Sequence, residues 1–323
     1  MTRIVLRIAA FVLAALALPG VAFAQVNWPE TLTIGTASPG GTYHVYGEGL
    51  AELLTRRLGL PVTARATEGP VENLKLIESG EIGMAFVTLG IAQQGWNGTG
   101  DWTGGKEFRS ARALFPMYDT PFQFAVLSDS PIKSIAELEG KQIGIGPLGG
   151  TGGVYVPLVF KAIKTNANFV TGSWTDLAGQ LSAKKLDAVV FVGGVPLPEV
   201  IDLERKGTVR YLTLNPSQIV AVRLAHPEIA PSSVAAGTYA SLRRAYRTVG
   251  MYNFAIARGS LPDSLVQAIL DVVFDNPDDM MQIHPAAAET VPANFVRNTV
   301  LPFHEGAARW YNNKATIGVV RGD

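Results

Sequence analysis

The chain has 323 residues, 27 basic and 27 acidic side chains, and no cysteine. A formal charge of zero argues against nucleic acid or an anionic membrane surface as the main partner. The missing thiols exclude disulfides, cysteine nucleophiles, cysteine-based metal sites and a lipidated cysteine.

The first residues read as a secretory signal. Arg3 and Arg7 precede an apolar stretch from Ile8 to Leu18, Pro19-Gly20 break it, and Ala22-Phe23-Ala24 places small residues at a cleavage site. The stretch is about half the roughly 20 residues needed to span a bilayer, so a cleaved leader is expected over 1–24 and a mature start near Gln25. No later segment is long and apolar enough to cross a membrane. A periplasmic location follows as an expectation, and the remaining length suits about two domains.

Thr31–Gly35 reads as a β-branched strand running into the turn Ser38-Pro39-Gly40-Gly41-Thr42. Leu50, Leu53, Leu54 and Leu58 then recur at helical spacing. Pro61–Ala66, Val71–Ser79 and Gly83–Val87 continue as strand, helix and strand. This β-α-β-α-β order with short connections predicts a parallel sheet in an α/β domain.

Further along, Phe122–Leu127 is a strand, Ser134–Leu138 a helical turn and Lys141–Gly146 a strand ending in glycines. Val154–Ile163 is a helix, Asn168–Thr171 a strand, Leu177–Lys185 a helix, and Ala188–Val192 a buried strand before Gly193-Gly194. The second half thus repeats the pattern of the first. Met251–Ala257 is a late strand, Leu265–Phe274 a helix and Val300–Tyr311 a C-terminal helix. Without a low-complexity linker, short crossovers should join the lobes. The expected division is 25–119 for the first lobe, 120–252 for the second, and 253–323 for a return to the first.

Two such lobes bring glycine-rich strand-to-helix turns face to face across a cleft, where open α/β sheets bind ligands. Gly144-Ile145-Gly146-Pro147-Leu148-Gly149 fits G-x-G-x-x-G, but Asn168–Thr171 supplies no acidic residue for a ribose, which argues against a dinucleotide. The backbone of Gly149–Gly153, with Gly150, Thr151 and Gly152 at a helix start, can still present N–H groups to an anion. The bland alternative is a flexible helix-entry loop. Ser38, Thr42 and Tyr43 offer similar chemistry in the first turn, and Thr67 and Glu68 lie at the end of the second strand. Glu68 reads equally well as a solvated loop charge, and His44 as an ordinary histidine.

Catalytic and metal patterns are missing. His44, His226, His284 and His304 have no metal-ligand spacing, and there is no G-x-S-x-G elbow or phosphate-binding G-x-x-x-x-G-K-[S/T] loop. No enzyme, cofactor or metal is expected. Asn97-Gly98-Thr99 reads as a turn rather than a glycosylation site.

The run Leu32–Thr36 with Ser38-Pro39-Gly40-Gly41-Thr42-Tyr43, followed by Ala66-Thr67-Glu68-Gly69-Pro70-Val71-Glu72-Asn73-Leu74, resembles the TAXI family of TRAP transporter solute receptors. Ala85-Phe86-Val87, Tyr118, Ile132–Gly140, Gly146-Pro147, Asp187-Ala188, Gly194-Val195-Pro196 and Pro302-Phe303-His304 extend the likeness along nearly the whole mature chain. The resemblance implies a type II periplasmic-binding-protein-like α/β fold, with two lobes around a ligand cleft and hinge crossovers between them. It also implies a small carboxylate ligand of the glutamate or 2-oxoglutarate kind and an ion-gradient-driven permease as partner.

The positions that match the family's pocket are Gly41, Thr42, Tyr43, Thr67, Thr88, Tyr118, Thr151, Gly152, Gly194 and Pro196. The chain departs from the family at Pro70, where serine is common, and at Thr88, where glutamine is common. It departs again at His44, at Val195 and in the Gly150–Gly153 turn. A monomer is expected. A receptor feeding a sensor kinase, or an enzyme on the same two-lobed frame, are the competing readings.

Overall fold

The computed structural model describes residues 27–207 and 209–321; the leader expected over 1–24 lies outside them. In the first half, β1 (Leu32–Gly35), α1 (Thr42–Leu58), β2 (Val62–Arg65), α2 (Pro70–Ser79) and β3 (Met84–Thr88) follow the sequence reading closely. β1 lies between β2 and β3, parallel to both, with Leu32 opposite Val62 and Ile34 opposite Met84. α3 (Leu89–Asn97) follows β3 directly. Gly98 ends it in a left-handed conformation, which makes the Asn97-Gly98-Thr99 stretch a helix stop.

The second half contains β5 (Gln142–Gly144), α4 (Thr151–Ala162), β6 (Asn168–Val170), α5 (Trp174–Ser182), β7 (Ala188–Val192), α6 (Pro198–Lys206), β8 (Val209–Leu212), α7 (Pro216–Ala225) and β9 (Ala230–Val234). Here β5 lies between β6 and β7, parallel to both. The five residues of β7 are all buried, so their Ala-Val-Val-Phe-Val sequence packs on both faces. α8 (Asp263–Asp275), α9 (Pro277–Ile283) and α10 (Glu305–Arg321) close the chain.

Two long strands join the halves. β4 (Ala111–Leu127) and β10 (Tyr246–Arg258) pair antiparallel, and the strand order is β2-β1-β3-β10-β4-β7-β5-β6. The sheet is therefore mixed, not parallel as the first half alone predicts. β4 pairs with β10 as far as Pro121 opposite Gly250, then turns to β7 and β8. The start of β10 pairs with β9 instead. At this parting, Thr248 donates to the Phe122 carbonyl (2.6 Å) and Tyr246 to the Leu212 carbonyl (2.9 Å).

Both faces of the sheet are covered. Leu50, Leu53 and Leu54 of α1, with Leu265, Val266, Ile269 and Leu270 of α8, pack on Met84, Phe86 and Phe115. Beyond the parting, Val156, Val159 and Phe160 of α4 pack with Phe124, Val190 and Phe191. Each such side chain contributes about 1.5–3 kcal/mol of burial.

Candidate functional site

A cavity of about 50 Å³ lies where the two halves of the sheet meet. By the ~10–15 Å³ that one water needs, it holds about four waters, so a dicarboxylate of the 2-oxoglutarate size enters only as its walls part. Its walls come from both halves. Ala37, Ser38, Gly41, Thr42 and Tyr43 line one side, with Glu68, Gly69, Pro70 and Thr88. Pro147, Gly150, Thr151, Trp174, Val192, Gly193 and Gly194 line the other, and Thr120 and Asn253 come from the joining strands.

The sequence dictates where these groups point. α1, α3 and α4 each follow a strand or its turn, and each begins at this cavity, at Thr42, after Thr88 and at Thr151. None of the three has a side-chain cap. Uncapped starts are not confined to these three: α2, whose Val71 amide is taken by the Gly149 carbonyl, and α6, α8 and α9 also lack a side-chain cap, whereas Ser173 accepts from the Asp176 amide at α5 and Asn215 with Gln218 forms a capping box at α7. An uncapped helix start leaves N–H donors and the positive end of a dipole worth roughly half a charge. Three of them converge on a space whose lining has no lysine, arginine or histidine, and one exposed carboxylate, Glu68.

The two sides already touch. Thr42 donates its hydroxyl to the Gly194 carbonyl (2.7 Å), the hydroxyls of Thr88 and Thr151 are 3.0 Å apart, and the Val71 amide donates to the Gly149 carbonyl (3.1 Å). Such approach needs bare backbone. At Gly69, φ is +114° and an added Cβ would sit 3.1 Å from the Gly150 Cα. At Gly194 it would sit 2.4 Å from the Tyr118 ring.

Behind the cavity is a polar brace. Asn253 is fully buried at a register shift between β10 and β4, next to a stretch that carries Pro116. Its amide donates to the Tyr118 carbonyl and the Thr120 hydroxyl, both at 2.6 Å, while its oxygen accepts from the Tyr43 hydroxyl. Burial pushes the Tyr43 phenol far up, so it stays protonated and donating. The bulge thus frees a carbonyl, and one amide satisfies it.

Of the residues expected from sequence, Ser38, Gly41, Thr42, Tyr43, Glu68, Thr88, Gly150, Thr151 and Gly194 line the cavity. Thr67 does not; its hydroxyl is held by Asn73 (2.9 Å), the Thr36 carbonyl (3.0 Å) and the Gly69 amide (3.1 Å), which fixes the turn before α2. Tyr118 lies beneath Gly194, its hydroxyl buried without a partner among the described residues. Gly152 faces the Ile145 carbonyl, and the Pro196 carbonyl lies 3.1 Å from His284 Nε2. Because His284 Nδ1 accepts from the Ala286 amide (3.1 Å), Nε2 carries the proton. Burial lowers that histidine's pKa, which keeps it neutral.

Sequence reading missed Trp174, Thr120 and Asn253. Trp174 begins α5 and lies against Gly41 and Gly146. Asn253 had a signal, a lone amide inside the apolar run Met251–Ala257.

The fold is that of the type II periplasmic binding proteins. Solved structures that share it include MatC from Rhodopseudomonas palustris with bound malate (13% identity, 87% of this chain and 98% of that one, TM-score 0.59). Another R. palustris protein, Rpa4515, solved with adipate, is 16% identical over 90% and 99% of the two chains with a TM-score of 0.57. The periplasmic binding protein BugD is 13% identical over 90% and 99%, with a TM-score of 0.55. Over residues 34–314 the chain matches the NMT1-like family, and it belongs to that family.

Proposed function

We propose that this chain is an extracytoplasmic solute receptor that closes two lobes, 25–119 with 253–323 and 120–252, around a small carboxylate. The observation that carries this reading is the convergence of three uncapped helix starts on a cavity free of basic side chains. A carboxylate there accepts from the first-turn amides of α4 and from the Ser38 hydroxyl, which is buried without a partner among the described residues. Tyr43 and Trp174 wall the ligand's body.

The finer reading is a TAXI-type receptor in the periplasm, delivering a glutamate- or 2-oxoglutarate-like acid to a TRAP permease. The sequence likeness from Ser38 to Tyr43 and from Ala66 to Leu74 supports it. Malate and adipate in two proteins of like fold agree with a carboxylate cargo. Micromolar capture needs about −8 kcal/mol, which a few charge-assisted hydrogen bonds at about 1.5–3 kcal/mol each supply.

A thermal-shift screen of the mature chain against carboxylates, amino acids and neutral sugars tests this, since a ligand of the folded state raises the midpoint. A selective rise with one carboxylate class is expected. A rise with neutral or cationic compounds alone would sink the anion site. Thr151→Trp, which fills the cavity, should abolish calorimetric binding of the hit while the chain stays folded.

A further inference from the structure

We infer that Glu199 is a positioning residue whose buried carboxyl, wedged across the cleft against Gly40, makes closure of the two lobes depend on uptake of a proton. The inference rests on the two-lobed clamp proposed above. Glu199 is in the first turn of α6, on the far side of the cleft from the Ser38–Gly41 turn, and is 8% exposed. Gly40 has φ +86°, and a Cβ there would lie 1.8 Å from Glu199 Oε1 and 3.0 Å from the Thr175 hydroxyl. Thr175 donates to Oε1 at 3.3 Å, and Oε2 is buried with no partner among the described residues. A carboxylate in this position keeps one oxygen without a donor. A carboxylic acid does not carry that penalty, because burial disfavours the charged form.

Among the described residues, the surroundings offer no compensating cation. On its own helix the charge that acts on Glu199 is Asp202, itself paired with Arg205 (2.6 Å), and it pushes the same way as burial. The Ser38–Gly41 turn brings no charge, and Thr175 of α5 is neutral. His44, in the first turn of α1, pairs with Glu48 at 3.3 Å. Desolvation, with a smaller push from Asp202, raises the Glu199 carboxyl from 4.5 to about 7.

Opening the cleft lifts the turn away and returns the carboxyl to water and to its ordinary range. The closed form therefore binds the extra proton. Its full stability is present below the open-form value, is lost progressively as pH rises toward 7, and does not change further above that. An anionic cargo adds to the same effect, since it brings a second negative charge to the closed cleft.

The test is calorimetry with 2-oxoglutarate and small-angle scattering, with and without it, between about pH 5 and pH 8. Wild type, E199Q and T175V are compared as mature chains. In wild type, affinity should fall on the order of a hundredfold across this range, with the radius of gyration rising in parallel. E199Q should be flat. T175V, which removes the hydroxyl donor to Oε1, should move the midpoint to higher pH, and it decides the matter if E199Q does not fold.

A pH-independent wild type, or an unchanged slope in E199Q, overturns the inference. If 2-oxoglutarate is not bound, the radius of the unliganded wild type carries the same test. Ligand-induced compaction that ignores pH would remove Glu199 from this role and leave the receptor standing. No compaction with any acid at any pH would remove the clamp itself.

Discussion

At the scale of single residues, the site depends on what is small and what is satisfied. Gly194 has no room for a methyl group beside the Tyr118 ring (2.4 Å) or the Thr42 methyl (3.0 Å). Gly194→Ala should therefore lower ligand affinity at least tenfold, through the closed form, while the urea midpoint of the unliganded chain moves little; calorimetry and urea unfolding separate the two. Asn253→Ala has the opposite profile. It leaves the Tyr118 carbonyl and the Tyr43 hydroxyl without their partner, at about 1–3 kcal/mol for each buried group. A loss of about 3 kcal/mol in urea-derived stability is expected, and an unchanged midpoint would show that Asn253 braces nothing.

Ser38, Gly41, Thr42, Thr88, Gly150, Thr151 and Gly194 were legible in the sequence because each sits at or beside a strand-to-helix turn, and turn chemistry is local. Trp174, Thr120 and Asn253 were not. What brings them to the cavity is packing between halves separated by more than a hundred residues, which no spacing rule carries.

The elements divide in the same way. β1 to β3 and their helices stood out because apolar positions repeat at the helical period and strands are bounded by glycine or proline. α7 did not, because Val222 is its one buried side chain and it has no apolar stripe. β9 reads Ala-Pro-Ser-Ser-Val and its first residues are exposed, so alternation is absent there too. Only the last third of β4 was legible, because Pro116, Asp119 and Pro121 break the run that becomes the joining strand.

α4 starts three residues earlier than its periodicity suggests, at Thr151 rather than Val154, since glycines hide the first turn. That turn is also where the element can be tested. A Cβ on Gly152 would fall 2.3 Å from the Ile145 carbonyl, so Gly152→Ala must displace the helix start. Carboxylate binding should weaken at least tenfold while the helix signal in circular dichroism is retained. Full affinity would place the anion elsewhere.

For the whole molecule, the joining strands are the part that pure α/β reasoning omits. A parallel sheet needs a crossover between lobes, whereas here β4 and β10 run through the junction side by side and exchange partners at Pro121 and Gly250. Gly250 is closely packed there, with an added Cβ 2.8 Å from Ser232 and 2.9 Å from the Asp119 carboxylate. Gly250→Val should strain this junction and destabilise the chain by about 1–3 kcal/mol through overpacking. Urea unfolding reads that change.

The bonds across the cleft also separate two jobs that a binding site often merges. Three of the atoms that join the halves are main-chain atoms: the carbonyls of Gly194 and Gly149 and the amide of Val71. The other lining residues, such as Trp174, Val192 and Pro70, take no part in those bonds. On the proposed function, cargo preference can therefore be rewritten at the walls while the proposed shutting motion is kept, so one frame can be retuned to a succession of metabolites without a new mechanism of capture.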